Sequence, residues 1–118
     1  MKITASGKRK RAIAKAVISE GSGKVTINRR SYKSLHFLDM LKIEEPLRIF
    51  ENVIGKLNFD VVITVKGGGR NGQIEASRLA LARAIGEFSR SKELVAAFLT
   101  YDRHLLVADV RRKEMYKP

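Results

Sequence analysis

A chain of 118 residues is long enough to bury one core and too short for two comfortable ones, so a single domain over residues 1–118 is expected. Hydrophobic residues make up 44% of it and charged residues 31%, which excludes wholesale disorder; 24 Lys and Arg against 12 Asp and Glu leave a net charge of +12, more than solubility requires. With no cysteine there is neither a disulfide framework nor a thiolate metal site, and no apolar run approaches the ~18–20 residues of a membrane span, so a cytoplasmic protein with no membrane partner is expected.

The charge calls for a polyanion. Nucleic acid is the commonest such partner, although an anionic membrane surface or an acidic protein also satisfies it. Residues 1–33 carry ten Lys or Arg and one acid, Glu20, whereas 34–65 carry three and five; the basic excess returns in 66–118. The middle therefore reads as scaffold, flanked by a basic N-terminal segment (1–11) and a basic C-terminal segment (110–118) whose order is expected to depend on the partner.

From Lys10 to Ser19, Ala12, Ala14, Ala16 and Ile18 alternate with Ile13, Lys15 and Val17, a pattern that suits a strand covered on both faces. Glu20-Gly21-Ser22-Gly23 supplies a turn, and Lys24 to Asn28 alternates again, so a β-hairpin over residues 10–28 is predicted. Leu35, Phe37, Leu38 and Leu41 predict a short helix after Ser34. Pro46 predicts the first turn of a second, with Glu44 and Glu45 at its positive end and Gly55 closing it. Leu57, Phe59, Val61, Ile63 and Val65 share one face of the clearest strand. Beyond a glycine loop, Ile74, Ser77, Leu81, Ala84, Ile85 and Phe88 recur at helical steps, predicting a helix over about residues 72–89. Ser91 is placed to cap a last helix with Leu94, Val95, Phe98 and Leu99 on its core face. The order β-β-α-α-β-α-α predicts an α+β domain, a small sheet packed on helices.

The glycine loop, Gly67-Gly68-Gly69-Arg70-Asn71-Gly72-Gln73, joins the clearest strand to the longest helix, so its backbone N–H groups and the helix N-terminus are suited to a phosphate. A purely structural turn is the alternative. The loop also matches G-x-G-x-x-G, with Glu93 at about the expected distance of twenty residues, but a second helix follows where a dinucleotide fold needs a parallel strand. A P-loop fails because Gln73 and Ile74 stand where Lys and Ser/Thr belong. Lys8-Arg9-Lys10-Arg11, extended by Lys15, can neutralise several phosphates, or can be a solvated face or localisation signal. Arg29-Arg30 with Tyr32, and Arg111-Arg112-Lys113 with Tyr116, set an aromatic near positive charge, as in RNA binders that stack bases, though either tyrosine can equally be core. Catalysis finds no footing: His36 and His104 stand apart, and no carboxylate or histidine spacing suits a metal, so no enzyme activity and no cofactor is expected.

Ser6-Gly7-Lys8-Arg9-Lys10-Arg11-Ala12-Ile13-Ala14, the Gly21–Asn28 segment, and Val65-Lys66-Gly67-Gly68-Gly69 with Gly72-Gln73 resemble, in order and spacing, the small-subunit ribosomal protein nine family. Glu45-Pro46-Leu47, Tyr101-Asp102-Arg103 and Asp109-Val110-Arg111-Arg112-Lys113-Glu114 are similar to its archaeal and eukaryotic branch, so the likeness runs from about residue 4 to residue 114. The resemblance implies a fold like the second domain of ribosomal protein five, with a left-handed β-α-β crossover that departs from the usual rule. It implies a structural constituent of the small ribosomal subunit that takes part in translation and binds ribosomal RNA in the subunit head, beside other proteins of the head. Lys8, Arg9, Lys10, Arg11, Lys66, Gly67, Gly68, Gly69, Arg70, Gln73, Arg111, Arg112 and Lys113 are the expected RNA contacts. Proteins of that family continue into a basic tail reaching peptidyl-site tRNA; this sequence ends at Met115-Tyr116-Lys117-Pro118, so no tRNA contact is assigned.

Overall fold

The computed structural model describes residues 2–101. Its elements are β1 (Lys2–Arg9), β2 (Ala12–Glu20), β3 (Val25–Ile27), β4 (Arg30–Ser31), a 3-10 turn (Tyr32–Ser34), α1 (Phe37–Val53), β5 (Phe59–Lys66), α2 (Arg70–Ser89) and α3 (Lys92–Tyr101). The five strands form one mixed sheet in the order β1-β2-β5-β3-β4, antiparallel except for the parallel pair β5 and β3, which are joined through α1. An α+β architecture with the helices on one face of a small sheet is therefore realised.

Side-chain alternation decides which face they cover. Ala5, Gly7 and Arg9 of β1, Ala12, Ala14, Ala16 and Ile18 of β2, Val25 and Ile27 of β3, and Phe59, Val61, Ile63 and Val65 of β5 are buried, while their neighbours along each strand are exposed or half-buried. The alanines of β2 meet Ala76, Ala80 and Ala84 of α2 in the same core, which lets the helix sit close to the sheet. At Gly7 the approach is closest: a Cβ there would lie 2.7 Å from both the Ala76 carbonyl oxygen and the Ala80 amide nitrogen. Phe59 anchors the other end, edge-on to Phe50 of α1 at 5.0 Å and to Phe88 of α2 at 5.8 Å between ring centroids.

Four expectations are corrected. The basic N-terminal segment is the edge strand β1, paired with β2 from Lys2↔Ser19 to Arg9↔Ala12, and is ordered without a partner. The 10–28 hairpin does not form, because β5 inserts between β2 and β3 and both pair with it. The strand containing Ala12 to Ile18 is covered on one face only, with Ile13 54% exposed. The two short helices are one helix, α1, running through Pro46. An interior proline costs about 3 kcal/mol, which burial of Ile43, Leu47 and Phe50, at about 1.5–3 kcal/mol each, exceeds. Gly55 ends it as expected, its N–H reaching the Phe50 carbonyl at 3.3 Å. Ser91 caps α3 as expected, its Oγ accepting from the Leu94 N–H at 3.1 Å, with Leu94 and Phe98 buried.

Candidate nucleic-acid interface

Strand direction gathers the basic turns. β1, β5 and β3 run toward one end of the sheet, and from that end β2 and β4 return. The Lys10-Arg11 turn between β1 and β2, the glycine loop after β5, and the Asn28-Arg29 turn between β3 and β4 therefore lie side by side. With strands about 4.8 Å apart, the five-stranded edge they decorate is about 19 Å wide. The opposite end carries the acids Glu20 and Asp60.

The glycine loop is fitted to the basic turn. Gly67 and Gly68 take φ of 78° and 63°, in the left-handed region, and a Cβ on them would lie 2.6 Å from the Arg11 carbonyl oxygen and 2.9 Å from the Ala12 amide nitrogen, so only glycine allows this contact. Gly69, by contrast, faces open space and forms the N-cap of α2 without any side-chain cap bond, which leaves the first-turn N–H groups to solvent or to an anion. Gln73 braces the loop, donating through Nε2 to the Gly67 carbonyl at 3.1 Å.

Lys10 (φ 55°) and Arg29 (φ 71°) both sit in the left-handed region, at turn positions where glycine is locally favoured. Each turn at this end thus holds a cation against its backbone preference, the pattern of local strain retained at functional sites. Asn28 (φ 49°) shares the second turn; its side chain accepts from the Val65 N–H at 3.0 Å and donates to the Val65 carbonyl at 3.3 Å, tying that turn to the end of β5.

Among the expected contact residues, Lys8, Lys10, Arg11, Lys66, Gly67, Gly68 and Gly69 come together, all of them exposed except where the loop packs on Arg11. Arg70 stands at the edge of the cluster, its guanidinium held by buried Asp39 through Nε at 2.9 Å and Nη2 at 2.8 Å, so its charge is partly spent. Arg9 departs from its neighbours: the pleat turns it to the helix side, where it is 8% exposed and engaged within the fold. Arg111, Arg112 and Lys113, with Tyr116 and His104, lie outside the described residues. Tyr32 is core, its hydroxyl donating to Glu44 at 3.2 Å; burial, then the Glu44 carboxylate, raises its pKa. Glu44 and Glu45 sit within α1 and pair with Arg48 and Arg78, in place of the expected helix-end role.

Sequence reasoning missed one residue that shapes the site, Asp39, and one that shapes the opposite end of the sheet, Asp60. Asp39 anchors Arg70, and Asp60 fixes the far turn, accepting from the backbone N–H groups of Ser22, Gly23 and Lys24 at 2.9–3.1 Å, which hold its carboxyl below the ordinary carboxylate range. An acid within three residues of a helix start, as Asp39 is in α1, was the available signal for the first; nothing local marks the second.

The sequence profile of the family described as Ribosomal protein S9/S16 matches residues 7–118. The chain belongs to that family. It is 45% identical over 114 residues to the small ribosomal subunit protein uS9 of Methanococcus vannielii, covering 95% of this chain and 83% of the relative. Identity to uS9 of Methanococcus maripaludis is 46% over 114 residues, with the same coverage, and to uS9 of Picrophilus torridus 45% over 114 residues, covering 95% of this chain and 84% of that one. The family match takes in the basic turn, the glycine loop and the Arg111–Lys113 segment alike. The G-x-G-x-x-G pattern meanwhile has no dinucleotide context, since α2 leads into α3. Among the described residues no group of three His, Cys, Asp or Glu is placed to hold a metal, and no helix is long and apolar enough to cross a membrane.

Proposed function

We propose that this chain is a structural constituent of the small ribosomal subunit, binding ribosomal RNA in the subunit head and taking part in translation without a catalytic step of its own. The observation that carries the proposal is the gathering of Lys8, Lys10, Arg11, Lys66 and the uncapped start of α2 at one end of the sheet in a chain of the S9/S16 family. Lysine and arginine side chains there neutralise phosphates and release counterions, while the loop N–H groups of Gly69 to Asn71 offer directed donors to a phosphate oxygen. Such contacts read folded RNA by shape and backbone rather than by base sequence.

Gln73 braces the loop of this cluster and Arg70 stands at its edge, while Arg9, Arg111, Arg112 and Lys113 are expected to add to RNA binding. The partners are small-subunit ribosomal RNA and neighbouring proteins of the head; the location is the cytoplasmic ribosome, and residues 1–118 act as one domain.

Titration of the protein with a structured small-subunit ribosomal RNA fragment, a matched unstructured RNA and duplex DNA at several salt concentrations tests this. The structured RNA is expected to bind tightest, and neutralising Lys8, Lys10, Arg11 and Lys66 together to Gln is expected to flatten the log-log salt slope by about three. Equal binding of all three nucleic acids, or an unchanged slope, would overturn it.

A further inference from the structure

The face of the sheet opposite the helices has no covering element among the described residues. In register across β1, β2 and β5 it presents the row Lys8–Ile13–Lys66 and, one pleat away, the row Ser6–Lys15–Thr64. Lys15 is diagonal to both Lys8 and Lys66, about 7–8 Å away along the sheet, and no carboxylate among the described residues pairs with any of the three. Like charges at this spacing repel weakly through water, and an arriving polyanion relieves that repulsion. The acid on this face, Asp60, sits at its far end and spends its carboxylate on the Ser22–Lys24 backbone. Two branched apolar side chains, Ile13 at 54% and Val62 at 53% exposure, stand among the lysines and hydroxyls.

We infer that this open face is a second RNA-binding surface, continuous with the basic end, on which the sugar-phosphate backbone of ribosomal RNA lies. The inference rests on the proposed function and extends it from the turns to the sheet. Its chemistry selects a polyanion with a hydroxylated backbone. Three uncompensated ammonium groups meet phosphates, Ser6 and Thr64 exchange hydrogen bonds with phosphate oxygens and 2′-hydroxyls, and Ile13 and Val62 pack on the apolar faces of riboses. Lys8 and Lys66 belong to both surfaces, which makes them one footprint turning the corner from the strand ends onto the face. No side chain there is large enough to keep an RNA strand from close approach, and no aromatic platform for bases is present, so binding is by backbone and shape.

The test is the double variant Lys15→Glu with Val62→Glu in the full chain, titrated with the same structured ribosomal RNA fragment, beside the control Lys42→Glu with Lys92→Glu, which makes changes at exposed positions of α1 and α3. The sheet variant is expected to lose about tenfold or more in affinity at ~0.15 M salt with its thermal unfolding unchanged, and the control to bind within about twofold of wild type. If the sheet variant does not fold, lysine acetylation of the wild-type protein decides: Lys15 is expected to be protected by bound RNA while Lys42 and Lys92 stay reactive. Wild-type affinity in the sheet variant, or Lys15 modified as fast in the complex as free, overturns the inference. Protection of Lys15 in whole subunits but not by RNA alone also overturns it, in favour of a protein neighbour. In each of these cases loss of binding on neutralising Lys8, Lys10, Arg11 and Lys66 leaves the proposed function standing; failure of the wild-type protein to bind ribosomal RNA removes both.

Discussion

Replacing Lys10 by glycine separates what the β1–β2 turn does for the fold from what it does for RNA, because the two effects have opposite signs. In the folded chain Lys10 holds φ at 55°, where a residue with a Cβ pays about 1–2 kcal/mol that glycine does not. Against this, glycine loses about 0.5–1 kcal/mol more conformational entropy on folding, so the net gain is about 0.5–1 kcal/mol. For a domain of this size that is a rise in Tm of about 2–8 °C. In the complex the variant lacks one phosphate contact, which removes about 0.7–0.9 from the salt slope and a factor of about 4–6 in affinity between 1 M and ~0.15 M salt. Thermal unfolding by circular dichroism and RNA titration at three salt concentrations measure the two sides. A variant both less stable and equally able to bind would refute the reasoning, since the lysine would then serve the turn and not the partner.

Three further perturbations probe the frame. Gly7→Ala sets a Cβ 2.7 Å from the backbone of α2 and is expected to cost about 1–3 kcal/mol in urea unfolding, with an unchanged m-value. Arg9→Ala, at a position only 8% exposed, is expected to lower stability by about 1–3 kcal/mol, whereas Lys8→Ala on the open face leaves it unaltered; equal effects in equilibrium unfolding would contradict the assignment of faces. Asp60→Asn removes the carboxylate that holds the Ser22–Lys24 backbone. Its pKa is lowered in the fold, so its contribution is present above roughly pH 4 and fades as pH falls through the depressed folded value. Wild type and variant unfolded across a pH series are expected to differ at pH 7, with the difference shrinking as pH falls below about 4.

The parts of this fold that depend on local pattern were legible in the sequence. α2 and α3 follow from three- and four-residue spacing with Ser91 as cap, and β5 from the alternation of Phe59 to Val65. What depends on non-local pairing was not. The turn at Gly21–Gly23 reads as the tip of a hairpin, yet Val25 and Ile27 pair in parallel with β5 some 36 residues on, an arrangement fixed by Asp60 and by shared burial under the helices. β1 is hidden because the residues it turns to α2 are Ala5 and Gly7, small for packing reasons, followed by a run of charge that reads as solvated. Pro46 shows a local rule yielding to a buried face.

The same division holds for the site. Lys8, Lys10, Arg11 and the Gly67–Gly69 loop are visible as composition, and residue type alone suggests phosphate. That the turn and the loop touch, that Arg29 lies at the same end, and that Arg9 points the other way follow only from strand order and pleat.

The central claim is membership of the small subunit through ribosomal RNA, and sedimentation tests it most directly. Native lysate run through sucrose gradients at low and moderate salt, with the protein followed by mass spectrometry, is expected to show it co-migrating with small subunits and polysomes at both. Its remaining at the top of the gradient even at low salt would contradict the account.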